Sequence, residues 1–484
     1  MEGNSSTAGK GNPLNRRILK AFGLFGSVEG LLILFSVLRT KFVAVLLGSS
    51  GVGLFTLFFS AIDLVGSTTQ MSISESAIRN ISAAGTPENK SSVVTGVIRW
   101  AWVLGAFGAV CMLIAAPLFS YFTFGDLSWT WAYMILSAVV LLNSVSKGFT
   151  AVMRGLEAFR GLATFQVYGS AGGLIVSIPL FYYMRLDSIV PSFVAYAVVA
   201  TVAGLIICRT TIRRQGLVRR DEPWRESLRG GIPVIRLGAY MTVSTFASLA
   251  SSYIFMAWLN ENTDTSTVGY FNAGFTIVNR YVGVLISAIS VEYYPRLSRE
   301  LSQGKPVGES VEAEIKLALP LLLPCVILFM LLSRYIVAIL YTSDFEVIEP
   351  FVNWAMIGTM FRLVSYCFAF VILAKGDGKI YVVTEVLSAI VYVSSSILCF
   401  KGFGITGLGY SYIIWYAIYT VSVMTVYRFR YGLGINTRIF ILTGLSLSAA
   451  FISIVAINLG FIWGAVVLLA VTGFFAAKKI RESF

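Results

Sequence analysis

Charged residues within long apolar segments are the residues of this sequence that could do chemistry. Arg39 and Lys41 interrupt the apolar stretch LLILFSVLRTKFVAVLLGSSGVGLF with no acid beside them, and Arg280 and Arg362 interrupt two later apolar segments. A charge at the centre of a bilayer costs about 2.5–3.5 kcal/mol on insertion scales, so it normally faces a helix-bundle interior or a wet cavity. Guanidinium donates hydrogen bonds in a planar fork that suits phosphate. These four cations therefore predict a site for an anion.

Two carboxylates, Glu29 and Asp63, lie in the first two apolar segments. Glu29 precedes Arg39 by about 15 Å along a helix, so the two do not pair directly. The carboxylates have two alternative roles, which are charge balance in the empty site and binding of H⁺ or Na⁺ as the coupling ion. For Arg280 the alternative is a structural partnership with Asp63 and no role in binding. For Lys41 the alternative is a side chain that extends to the outer surface of the membrane.

Several residue types and motifs that particular chemistries need are absent from the sequence. The chain has no histidine, which is the commonest metal ligand and near-neutral proton carrier. Its cysteines lack CxxC spacing, so we predict no disulfide or metal site, and it has no GxxxxGK[ST] motif for nucleotide phosphates. Because the loops on the outer side are short and leave no room for a catalytic domain, we expect no enzyme activity. We also expect no cofactor other than H⁺ or Na⁺ as a coupling ion.

The composition is that of a polytopic membrane protein. Of 484 residues, 57% are hydrophobic and 13% charged, with a mean hydropathy of +0.79. A soluble domain has roughly 25% charged residues. The net charge of +13 does not indicate a nucleic-acid partner, because the cations lie between apolar segments and form no basic stripe with interleaved aromatics.

Fourteen segments are long and apolar enough to cross a bilayer as helices, so we predict an all-α fold. Nearly all lysines and arginines outside these segments fall in alternate loops, which places the N- and C-termini in the cytoplasm. The outer side has only Arg185, Lys401 and Arg334, which lies near the outer end of span 9. The predicted spans, numbered 1 to 14, are residues 22–46, 51–75, 93–119, 129–153, 163–184, 188–208, 237–259, 267–292, 317–340, 351–373, 380–400, 404–426, 439–457 and 461–477.

An internal repeat divides the chain. The segment SSGVGLFTLFFSAIDL (Ser49 to Leu64) aligns without gaps on TSTVGYFNAGFTIVNR (Thr265 to Arg280), which places Asp63 on Asn279. We predict an N-lobe at 1–208 (spans 1–6), a basic cytoplasmic linker at 209–236, a C-lobe at 237–427 (spans 7–12) and two C-terminal spans at 428–484. Parallel six-helix repeats are related by a pseudo-two-fold axis along the membrane normal, an architecture of transporters that work by alternating access.

Several motifs together resemble one family. LGSSGVGLF after the first span, MRGLEAFRGLATFQV after the fourth, and VGYFNAG followed by YYPRLSREL are similar to the O-antigen flippase (Wzx-type) branch of the multidrug/oligosaccharidyl-lipid/polysaccharide (MOP) flippase superfamily. The resemblance implies a bacterial inner-membrane protein that moves an undecaprenyl-diphosphate-linked oligosaccharide, an O-antigen or capsule repeat unit, through a cationic cleft. It also implies membrane lipids and other polysaccharide-assembly proteins as partners, and no nucleic acid.

Two alternatives belong to the same superfamily. The lipid II flippases have similar lobes and a cationic cleft. The cation-coupled drug exporters usually have twelve helices and an acidic site for cationic drugs. Fourteen spans and an excess of arginine argue against a drug exporter here.

Overall fold

A computed structural model describes the chain over residues 13–70, 73–217 and 232–483. The side chain of Glu29 lies outside the described residues, as do residues 218–231 in the middle of the predicted basic linker. Every regular element in the described ranges is helical, which confirms the all-α prediction.

Fourteen α-helices, joined by short loops and by 3₁₀ and π turns, make up the described fold. In chain order they are α1 (Pro13–Thr69), α2 (Ile73–Ala83), α3 (Pro87–Phe124), α4 (Thr130–Gly155), α5 (Phe159–Met184), α6 (Ile189–Arg214), α7 (Ile232–Asn262), α8 (Thr265–Thr276), α9 (Val282–Ser302), α10 (Gly308–Leu340), α11 (Glu349–Ala374), α12 (Gly378–Thr425), α13 (Thr437–Asn458) and α14 (Ile462–Ser483).

These helices are not one-to-one with the predicted spans. Among the described residues, 10 helical stretches are long and apolar enough to cross a membrane, so the chain is a membrane protein. Two of these stretches, Phe159–Arg214 and Gly378–Arg430, each contain two predicted spans, and Gly30–Thr69 includes most of spans 1 and 2. Span 8 is divided between α8, a π turn and α9. The count of fourteen spans stays a prediction.

Two glycines allow the longest helices to turn back. Gly48 lies inside α1 with φ 69°, and Gly404 lies inside α12 with φ 59°. Residues with a Cβ rarely adopt this left-handed conformation, whereas glycine adopts it readily. Gly404 belongs to the GFGITG segment, which therefore serves a turn between two spans and has no strand–helix context for nucleotide binding.

The described chain forms two compact units. The first consists of the described residues within 1–42, 69–116 and 130–239, and the second of those within 43–68, 117–129 and 240–484. In the second unit α11 is a central helix that packs against α10 and α12. Of the most apolar 18-residue segment within Ser343–Ala374, 78% is buried. The lobe boundaries drawn from the repeat stay a prediction.

Candidate functional site

The most enclosed of the predicted cations is Arg362, at the middle of α11 in the second unit. Only 9% of Arg362 is exposed. Its Nη1 donates to Asn279 Oδ1 at 3.0 Å and to the Tyr412 hydroxyl at 3.3 Å, and its Nη2 lies 3.5 Å from the Tyr366 hydroxyl. The guanidinium also lies over the rings of Tyr366 and Tyr416, at 5.5 and 5.8 Å from their centroids.

All of these contacts are with neutral groups. Within the described part of the chain Arg362 has no carboxylate partner, and its buried Nε has no hydrogen-bond partner. Hydroxyls, an amide oxygen and ring faces orient a guanidinium without cancelling its charge. The arrangement therefore holds a net positive charge deep in the unit, which an anion could neutralise.

Local helix geometry assembles this cluster. Tyr366 follows Arg362 by one helical turn on α11, and Tyr412 and Tyr416 are one turn apart on α12. Asn279 lies in the π turn Ile277–Tyr281, and π turns often occur at functional sites. The Asn279 side-chain amide donates to the backbone oxygen of Phe275 at 3.1 Å, which leaves its Oδ1 directed to Arg362 and Tyr412.

Arg39, in the first unit, is held differently. Its guanidinium lies over the Tyr196 ring at 4.6 Å from the centroid and over the Phe193 ring at 5.6 Å. Both rings come from α6, and Arg39 itself is half-buried on α1. A cation over an aromatic face gains about 0.5–2 kcal/mol, depending on how far it is removed from water.

Gly173 on α5 makes room for the ring that Arg39 contacts. A Cβ placed on Gly173 would lie 2.1 Å from Tyr196 Cδ2, so a larger residue would displace this ring. The glycine-rich GSAGG stretch of α5 thus permits close packing of α5 on α6. Through Tyr196, this packing also fixes where Arg39 lies.

The structure places the remaining predicted site residues as follows. Arg280 is exposed and follows Asn279 in the π turn, and Lys41 is half-buried on α1. Asp63 is half-buried and accepts a hydrogen bond from the Ser67 hydroxyl at 2.8 Å. The Glu29 side chain lies outside the described residues. The binding roles of these residues stay predictions.

Sequence reasoning missed the neutral residues that surround Arg362. The segment YSYIIWYAIYT contains Tyr412, Tyr416 and Tyr419 at helical spacing, which puts their rings on one face of α12. This spacing of tyrosines is the feature of the sequence from which the cluster could be predicted. Tyr419 also donates to the Glu385 carboxylate at 2.7 Å, so the polar face continues one turn beyond Arg362 and its partners.

A reciprocal contact joins the two repeat segments where the C-terminal half of α1 meets α8. The Ser50 and Ser266 hydroxyls, separated by the repeat offset of 216 residues, hydrogen-bond at 2.7 Å. A Cβ on Gly53 would lie 1.8 Å from the Thr265 oxygen, and one on Gly269 would lie 2.2 Å from the Ser49 oxygen. The two segments therefore contact each other through equivalent residues, as a local two-fold axis requires. This contact supports the predicted repeat.

Comparison with known proteins gives concordant relationships. Residues 42–350, more than half of the chain, match the model of a family described as polysaccharide biosynthesis protein. Proteins named lipid III flippase from Escherichia coli (strain K12) and Shigella flexneri are each 22% identical over 388 residues, covering 78% of this chain and 90% of the relative.

Solved structures share the fold. A structure of the lipid II flippase MurJ in an inward closed conformation is 14% identical, with a TM-score of 0.65, covering 96% of this chain and 99% of its own. An inward-facing multidrug resistance MATE transporter of the MOP superfamily is 16% identical, with a TM-score of 0.63, covering 83% and 94%. The predicted resemblance to a polysaccharide-transport family is confirmed: the chain belongs to the polysaccharide biosynthesis protein family, and it has the fold of these transporters.

Proposed function

We propose that this chain is a flippase for an undecaprenyl-diphosphate-linked oligosaccharide, an O-antigen or capsule repeat unit, in the bacterial inner membrane. The observation that carries the proposal is the buried guanidinium of Arg362, which contacts only neutral groups among the described residues. A diphosphate supplies the several anionic oxygens that such a group binds well. The lipid III flippase relatives point to the same class of substrate.

The other predicted cations have supporting roles in this proposal. Arg39 is positioned by the Tyr196 ring and provides a second guanidinium. Arg280 follows Asn279, the residue that accepts from Arg362, and provides an exposed cation on the same turn. Lys41 follows Arg39 by two residues on α1. We expect these side chains to bind the diphosphate during transport, and we expect no chemical change in the substrate.

Alternating access is the mechanism we propose, with both termini in the cytoplasm. The reciprocal Ser50–Ser266 contact lies at the outer end of predicted spans 2 and 8 in this topology. The repeat segments approach each other closely there at Gly53 and Gly269, and they share one hydrogen bond between two hydroxyl groups. We propose that this contact closes the outer side and separates when the protein opens outward.

Ion coupling is proposed for the carboxylates Asp63 and Glu29. Asp63 lies in the same repeat position as Asn279, the partner of Arg362. A carboxylate in one repeat and an amide in the other give the two halves different affinity for cations. We expect H⁺ or Na⁺ to bind at Asp63 during the return step.

A liposome assay tests this proposal. The full chain is reconstituted with a fluorescent undecaprenyl-diphosphate-linked oligosaccharide, and the lipid that reaches the other leaflet is measured under a pH or sodium gradient. We expect gradient-dependent transport that Arg362→Gln abolishes. Transport of lipid II with no transport of longer glycans would instead assign the lipid II flippase function. Export of a cationic drug that is unaffected by Arg362→Gln would overturn the proposal.

The outer contact has its own test. The double variant Ser50→Cys with Ser266→Cys should form a disulfide under oxidation, because the native hydroxyls are 2.7 Å apart. Oxidation should stop transport and reduction should restore it, whereas each single variant should be insensitive. Undiminished transport by the oxidised double variant would rule out an opening step at this contact.

A further inference from the structure

A large cavity lies in the first unit, apart from the residues of the proposed transport site. Its volume is about 830 Å³, within the 300–1,000 Å³ typical of ligand pockets. The walls come from the first turns of α3, the last turns of α4 and α6, and the residue Leu217. The lining residues are Ser91, Val94, Thr95, Ile98, Arg99, Trp102, Phe149, Leu205, Cys208, Arg209, Ile212, Arg213 and Leu217.

The charged residues described in the lining are all basic. Arg99, Arg209 and Arg213 line the cavity, and the part of the lining that the structure describes includes no aspartate or glutamate. Arg209 and Arg213 are one turn apart near the end of α6, and both are exposed. Arg99 is 6% exposed, so one of the three guanidinium groups reaches the inner wall. Two hydroxyl residues of α3, Ser91 and Thr95, lie on the same lining and add donors for an anion.

The rest of the cavity is apolar. Its large side chains are those of Trp102, Phe149 and Leu205. Trp102 is 44% exposed, so the apolar wall of the cavity reaches the accessible surface of the first unit. Trp102 follows Arg99 by three residues on α3, and Arg209 follows Leu205 by four on α6. On both helices the basic residue and the apolar residue therefore share a face, displaced by about one turn along the axis.

Along the helix axis the lining changes from basic to apolar side chains. A lipid at the membrane surface changes in the same order, from a charged headgroup to apolar chains. A phosphate headgroup lies at the level of the interface, and its acyl chains extend from there into the hydrocarbon. Basic pockets between membrane helices bind such headgroups. In the topology given by the basic loops, the end of α6 and the start of α3 both lie at the cytoplasmic surface.

We propose that this cavity binds an anionic phospholipid. Arg209 and Arg213 hold the headgroup phosphate, Arg99 binds it from the inner wall, and the first part of an acyl chain lies against Trp102, Phe149 and Leu205. The site has no residue in common with the proposed diphosphate site. It would tie the first unit to the anionic inner leaflet.

Binding of a labelled lipid tests the proposal. The full chain is delipidated in detergent, and its affinity for fluorescent dioleoylphosphatidylglycerol is compared with that for the same label on dioleoylphosphatidylcholine. We expect tighter binding of phosphatidylglycerol, with a preference that falls as salt rises. Arg209→Gln with Arg213→Gln should weaken it by about fivefold for each arginine removed, because a surface arginine attracts anionic lipid to that degree.

Two further variants distinguish lipid binding from general charge attraction and from binding of free phosphate. Arg214→Gln is the matched charge control, because Arg214 is the adjacent arginine on α6 and does not line the cavity. Leu205→Trp fills the apolar wall and keeps all three arginines, so it should weaken lipid binding and leave weak competition by inorganic phosphate unchanged. Thermal unfolding without lipid checks that each variant is folded.

Three results would overturn the proposal. Equal affinity for the two lipids would mean that the arginines select no headgroup. An effect of Arg214→Gln as large as that of Arg209→Gln or Arg213→Gln alone would indicate general surface attraction. Lipid binding that Leu205→Trp leaves unchanged, with competition by inorganic phosphate, would assign a free phosphate site. Loss of transport is not used as a readout, so a failure of the flippase assignment leaves this test intact.

Discussion

The two units each remove an arginine from water, and they do it by different means. Arg39 lies against the faces of two aromatic rings, and Arg362 combines two such ring contacts with hydrogen bonds to an amide oxygen and to tyrosine hydroxyls. A ring face attracts a cation from many directions, so it holds a charge without fixing the plane of the guanidinium. Hydrogen-bond acceptors fix that plane and retain the charge. We infer that these hydrogen bonds fix the orientation of the Arg362 guanidinium.

Removing Arg362 should have the largest effect. We expect Arg362→Ala to abolish transport of the lipid-linked glycan, since losing one side of a buried charge pair typically costs about 2–5 kcal/mol. Arg362→Lys keeps the charge but loses the planar fork, so it should retain a small part of the activity. Arg39→Ala in the same liposome assay should lose less than Arg362→Ala. The reverse order would contradict the comparison of the two sites.

Giving Arg362 a permanent partner should have the next largest effect. Asn279→Asp puts a carboxylate 3.0 Å from Nη1, where the amide oxygen now lies, and should neutralise the site. We expect at least a tenfold loss of substrate affinity, which corresponds to about 1.4 kcal/mol. The measurement is the half-saturating concentration of the glycan lipid.

Asn279→Ala is the control for this change, because it removes the acceptor without adding charge. It should be milder than Asn279→Asp. If the two variants were equally impaired, the positive charge of Arg362 would not be the property that matters.

A packing change should affect the Arg39 site more moderately. Gly173→Ala introduces a Cβ 2.1 Å from the Tyr196 ring, and such overpacking typically costs about 1–3 kcal/mol. Gly169→Ala is the matched control on α5, since its Cβ would meet Ala200 at an ordinary 3.6 Å. We expect a lower unfolding temperature and reduced transport for Gly173→Ala alone. Equal behaviour of the two variants would mean that the Tyr196 ring moves aside freely.

The smallest effect is expected at Tyr366. Its hydroxyl is 3.5 Å from Arg362 Nη2, at the limit of a hydrogen bond, so Tyr366→Phe should cost less than about 1 kcal/mol and keep the ring face. Tyr412→Phe should cost more, because the Tyr412 hydroxyl bonds both Arg362 and Asn279. Transport rates of the two variants, measured side by side, check this order.

Much of the fold could be predicted from the sequence. Long apolar segments and the position of Lys and Arg in the loops are local properties, so they indicate a polytopic all-α chain without knowledge of any contact. The repeat offset of 216 is equally visible, and the Ser50–Ser266 hydrogen bond spans the same offset. The site was less accessible. Arg362 could be singled out because a buried charge is costly, whereas its neutral partners carry no such signal in a chain rich in tyrosine.

The sequence by itself determined that this chain lies in a membrane and that it carries arginines where charge is expensive. Only the tertiary structure decided what surrounds each of them. Asn279 is 83 residues from Arg362, and Tyr196 is far along the chain from Arg39, so their contacts depend on how the helices pack. Hydropathy is a property of single segments, whereas the environment of a buried charge comes from several segments at once. For that reason the π turn at Asn279 and the close packing at Gly173 could be recognised as parts of a site only in three dimensions.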